Sequence, residues 1–75
     1  MSVKTLSNLS EGELAVIQSF NAGLNLQSRL VEMGILPGVT VRIIKKAPFN
    51  GPVELKVRGY EVALRYRDAN QVFVK

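Results

Sequence analysis

The side chains that could do chemistry here are few: six carboxylates, ten lysines and arginines, and scattered serines. Histidine and cysteine are both absent, which removes the commonest general base, the commonest transition-metal ligand and every thiolate. Ser7, Ser10, Ser19 and Ser28 therefore have no base to activate them as nucleophiles. Glu11, Glu13, Glu32, Glu54, Glu61 and Asp68 fall on turns and outward strand positions, away from the apolar surroundings that would raise a carboxyl pKa. As ligands, such oxygens suit magnesium, calcium or manganese better than a selective site for a softer transition metal. Gly34-x-x-x-Gly38 lacks the Lys-Ser/Thr of a phosphate loop, and it follows a helix instead of preceding one. No residue is assigned as catalytic, metal-ligating or cofactor-binding.

Contact remains. The net charge of +4 is uneven: residues 1–38 carry −1 and residues 39–75 carry +5. Arg42, Lys45, Lys46, Lys56, Arg58, Arg65 and Arg67 could follow a nucleic-acid backbone, so an RNA-binding barrel is the alternative reading. RNA recognition adds aromatic platforms between the charges, and only Phe49, Tyr60 and Tyr66 stand nearby. Nucleic acid is the weaker expectation. Protein contact has two candidate surfaces. One is the helical face carrying Leu24, Arg29, Val31 and Glu32; the other is the loop tip Pro48, Phe49 and Asn50. Phe49 either anchors a partner or folds back over the barrel mouth. An exposed strand edge or the Phe49 loop could also pair two copies.

The elements that position these residues centre on Leu26 to Gly38. Leu26, Leu30 and Met33 share one helical face, and Arg29 and Glu32 can pair three apart on another. A helix over about residues 25–33, capped by Asn25, stops at Gly34, where glycine takes the left-handed conformation and Ile35 packs back on Leu30. Pro37-Gly38 then predicts a type II turn over Leu36 to Val39. Leu30, Met33, Gly34, Pro37, Gly38, Gly51, Gly59 and Leu64 are the fold-defining positions, with the glycines chosen for backbone conformation.

Around this corner the chain reads as strands. Val3, Leu6 and Leu9 suggest a short strand or a packed arm; Glu13 to Phe20 is a strand with apolar residues on both faces, one against the barrel interior and one against a helix. Val39, Val41 and Ile43 alternate into Lys45 and Lys46, and Val53, Leu55 and Val57 give the cleanest period of two. Gly59-Tyr60 predicts a type II′ hairpin, followed by Val62, Leu64 and Tyr66 on one face. A one-turn helix near 67–70 and a closing strand over 71–75 complete it. The expectation is one mainly-β domain over residues 1–75, a small SH3-like antiparallel barrel of five to six strands. The chain has no apolar signal region and no run long enough to span a membrane, so a cytoplasmic protein without direct membrane insertion is expected.

The ordered set Arg29-Leu30-x-Glu32-Met33-Gly34-x-x-Pro37-Gly38, Val41, Ala47-Pro48-x-x-Gly51-Pro52, Arg58-Gly59 and Leu64-Arg65 resembles the FeoA family over about residues 6–75. That resemblance implies an SH3-like barrel with a helical insertion and a non-enzymatic role beside the bacterial ferrous-iron transporter. The implied partner is FeoB, a membrane protein with a cytosolic GTPase domain, reached from the inner face of the membrane. A divalent transition metal is implied by the resemblance alone. The same barrel closes repressors of the DtxR type. With no DNA-binding segment ahead of it in this sequence, the transport accessory is the expected form.

Overall fold

Alternation of Val53, Leu55 and Val57 with Glu54, Lys56 and Arg58 gives a strand one dry and one wet face. In the computed structural model, which describes residues 4–75, six strands form one antiparallel sheet. They are β1 (Lys4–Thr5), β2 (Leu14–Phe20), β3 (Thr40–Lys46), β4 (Val53–Val57), β5 (Tyr60–Leu64) and β6 (Val72–Val74), in the spatial order β1-β6-β2-β3-β4-β5. Helix α1 (Leu24–Glu32) joins β2 to β3, and the single turn α2 (Tyr66–Ala69) joins β5 to β6. A 3₁₀ turn, Leu6–Asn8, follows β1 and buries Leu6 and Ser7. Val3 lies outside the described residues.

Register breaks between Ile17 and Ser19 on β2, and between Ile43 and Lys45 on β3, bend the sheet where an extra residue enters one strand. The bend brings β4 and β6, which flank the β2–β3 pair, onto one core. Val53, Leu55, Val57, Val72 and Val74 share that core with Leu6, Leu9, Leu30 and Ile35. Each fully buried aliphatic side chain stabilises the fold by roughly 2 kcal/mol. This is the mainly-β architecture with a helical insertion that the sequence predicts.

Several local expectations are corrected. Helix α1 starts at Leu24 with Gly23 as N-cap, and Asn25 lies inside its first turn without capping anything. The β4–β5 turn has Arg58 (φ 51°) and Gly59 (φ 91°) at its corner, with Val57 paired to Tyr60. Both central residues are left-handed, so the turn is type I′, whose twist suits a hairpin, and not type II′ at Gly59-Tyr60. Tyr60 is thereby the first residue of β5. That strand ends at Leu64, and Tyr66 opens α2 instead of extending the strand face. On β2 only Ala15 and Ile17 are buried; Leu14 is 54% exposed, because no helix covers its face of the sheet.

Candidate partner-binding surfaces

The corner after α1 is built from its own backbone. Leu30 is buried and Leu26 and Met33 pack beside it, so the helix docks by one stripe. At its end, the Ile35 amide donates to the Leu30 carbonyl (2.9 Å) and the Gly34 amide to the Val31 carbonyl (2.9 Å), a full Schellman stop. The expected type II turn follows, with Val39 N–H on the Leu36 carbonyl at 3.0 Å and Gly38 at φ 91°. Two further bonds, Gly38 N–H to Ile17 O (2.8 Å) and Ile17 N–H to Val39 O (2.9 Å), fasten the turn to β2. From the other side the Tyr60 phenol donates to the Met33 carbonyl. Gly34 is thus fixed twice: its φ is +82°, and a Cβ there would collide with the Tyr60 hydroxyl. Tyr60 was not legible as an anchor, because its partner lies 27 residues away.

What the corner leaves outside is the far pole of α1. Leu24 is 82% exposed and Val31 50%, and both point away from the docked stripe, with Arg29 and Glu32 exposed beside them. All four of these predicted residues are exposed. Arg29 and Glu32 do not pair: the one ion pair among the described residues joins Arg65 Nε to Asp68 Oδ2 at 3.3 Å. Asp68 itself is buried, which corrects the expectation that every carboxylate lies outward.

Pro48, Phe49 and Asn50 form the second surface, at the tip of the β3–β4 hairpin. Phe49 (φ 58°) and Asn50 (φ 57°) are the corner of a tight turn closed by Gly51 N–H on the Pro48 carbonyl at 3.1 Å. Phe49 is 99% exposed, so it does not fold back over the barrel mouth. Gly51 serves a close approach and not an unusual φ: a Cβ there would stand 2.7 Å from Ala47 Cβ.

A third surface joins three of the predicted basic residues, Arg42, Lys56 and Arg58, to apolar neighbours. On the outer side of the sheet, Leu14, Thr40, Val41, Arg42, Ile44, Lys56, Arg58 and Gly59 line a shallow groove of about 470 Å³. Register puts Leu14 opposite Arg42, and Arg42 opposite Lys56. Ile44 joins them on the outward face that alternation with Ile43 gives it, as the unpaired residue of the β3 bulge (37% exposed). Its sequence signals were those basic residues and the alternation that puts Thr40, Arg42 and Ile44 on one face.

The basic residues are not one surface. Lys46 Nζ donates to the Ser7 carbonyl at 2.9 Å, its amide donates to Glu11 at 2.9 Å, and Arg65 holds Asp68, so these two cations work within the fold. Arg42, Lys56 and Arg58 remain grouped around the groove. Among the described residues, no three acidic, histidine or cysteine side chains converge on a point that could hold a metal. No helix among them is long and apolar enough to cross a membrane.

A bent six-stranded sheet with a helix inserted between β2 and β3 defines a small SH3-like domain. Residues 4–75 match the FeoA domain, and the chain belongs to the FeoA family. It is 34% identical over 70 residues to an Fe(2+) transport protein A/Fe(2+) transporter FeoB fusion protein of Porphyromonas gingivalis, covering 93% of this chain but 8% of that protein. Among solved structures it is similar to Stenotrophomonas maltophilia FeoA complexed with zinc, described as an SH3 domain protein (33% identity, TM-score 0.82, 96% of this chain and 89% of that one). It is also similar to iron(II) transport protein A of Clostridium thermocellum (32% identity, TM-score 0.90, 96% of this chain and 44% of that one). The zinc belongs to the Stenotrophomonas protein.

Proposed function

We propose that this protein is a non-enzymatic, cytoplasmic accessory of ferrous-iron transport that docks on the cytosolic region of a FeoB-type transporter and modulates uptake or assembly. The observation that carries the reading is the Porphyromonas relative, in which a domain similar to this chain shares one polypeptide with FeoB. Tethering of that kind raises the effective concentration of one module at another, which is useful where the two work together. Leu24, Arg29, Val31 and Glu32 on α1, with Pro48, Phe49 and Asn50 at the hairpin tip, are the proposed contacts, since both groups present apolar side chains without a partner inside the fold. Such a protein changes transport only by binding two transporter states unequally. Calorimetric titration into the cognate FeoB cytosolic region, with GDP and with a GTP analogue, tests the reading. Nucleotide-dependent binding supports it. Absence of binding in both states, together with unchanged ferrous-iron uptake after clean deletion at limiting iron, overturns it.

A further inference from the structure

The outer groove contains an arrangement that the free domain does not need. Arg42 and Lys56 are directly paired across β3 and β4, where opposed like charges destabilise a sheet. Arg58, in the turn just after β4, lines the same groove. Glu61 faces Lys56 from β5 and Glu54 lies one step along β4, yet among the described residues no carboxylate comes within ion-pair distance of Arg42, Lys56 or Arg58. Beside these cations, Leu14 and Ile44 leave aliphatic surface in the open, 54% and 37% exposed. Three cations bordering an apolar strip call for an occupant with both carboxylates and aliphatic side chains.

We infer that the groove across β2, β3 and β4 is a docking site for an acidic, amphipathic segment of a partner protein. Its carboxylates lie over Arg42, Lys56 and Arg58, and an aliphatic side chain covers Leu14 and Ile44. A protein segment fits better than RNA because the lining contains no aromatic side chain on which a base could stack, whereas its apolar part is aliphatic. The charges steer and orient the segment, and the apolar contact slows its release. In taking the transporter as the source of that segment, the inference rests on the function proposed above.

The experiment follows backbone amide shifts of the labelled full chain against two probes: the cognate FeoB cytosolic region, and a synthetic peptide of alternating glutamate and leucine. Shifts centred on Leu14, Arg42, Ile44, Lys56 and Arg58 are expected with both probes, weakening as salt rises. Arg42→Glu should weaken binding at least about tenfold. The same substitution places a carboxylate opposite Lys56, so its melting temperature should equal or exceed that of the parent; Arg42→Ala is the control should the reversal disturb the sheet. If the FeoB region binds with its shifts elsewhere, or binds Arg42→Glu unchanged, the groove is overturned while the transport reading stands. If the FeoB region does not bind at all, the transporter is not the source of the segment and the peptide decides: groove shifts with the Glu/Leu peptide and none with a Lys/Leu peptide uphold the site, and silence at about millimolar peptide overturns it. Tighter binding of polyuridylate than of the acidic peptide at the same residues also overturns it, in favour of nucleic acid.

Discussion

The corner after α1 and the tip of the β3–β4 hairpin use the same vocabulary of glycine, proline and one large apolar residue, and they come out opposite. The corner is tied to other elements, by the bonds from the turn to β2 and by the Tyr60 hydroxyl on Met33. At the tip, Phe49 touches solvent on all sides, and the turn is closed by its own backbone. Turn-forming residues therefore do not announce their role. What separates a structural turn from a presented one is whether distant chain returns to it. Substitutions at the corner should cost stability, and substitutions at the tip should leave stability alone and change binding.

The largest effect should come from Leu30→Ala, which removes the fully buried anchor of α1 and should lower unfolding free energy by about 3–4 kcal/mol in urea denaturation. Gly34→Ala should follow at about 2–3 kcal/mol, from the left-handed φ and the collision with the Tyr60 hydroxyl. Much of that loss should vanish in a Tyr60→Phe background, because the atom in the way is gone. A fully additive double-mutant cycle would show that the corner is fixed by local backbone alone and would erase the contrast. Tyr60→Phe by itself should cost about 1 kcal/mol for the lost bond to Met33. The smallest effect should be at the tip. Phe49→Asn, which suits a left-handed corner better, should leave stability unchanged or raise it by up to about 1 kcal/mol. The same variant should bind the FeoB cytosolic region more weakly in calorimetry. Stability loss at Phe49 on the scale of the corner would break the comparison.

Local rules read the strands and the corner well, because alternation and a glycine stop act within a few residues. Val53, Leu55, Val57, Gly34 and the Pro37-Gly38 turn all stand where period and turn chemistry put them. The failures have a common cause. Arg58 takes a left-handed φ that no residue-type rule assigns to arginine, so the hairpin was placed one residue late. Asp68 is buried because the chain packs α2 against the opening 3₁₀ turn, where Ser7 donates to the Asn70 side chain across 63 positions. Leu14 reads as covered by a packed helix and, with none over its face, lies outward, whereas Ile44 stands on the outward face that alternation gives it. For the candidate site, the two predicted surfaces were legible as exposed. The groove was legible only as its basic residues, since Leu14 and Ile44 join them only once three strands are in register.

Pairing of β1 with β6 places Lys4 opposite Val74, which for antiparallel neighbours means a separation of about 5 Å. The first and last described strands thus leave the domain side by side, like the two straps of one buckle. A short linker could join them without distorting the sheet, and the chain could be opened instead at the solvated Phe49 tip, giving a circular permutant with the same barrel. The geometry also makes the domain modular: it can be spliced onto a larger polypeptide from either end, with the α1 pole and the hairpin tip still presented.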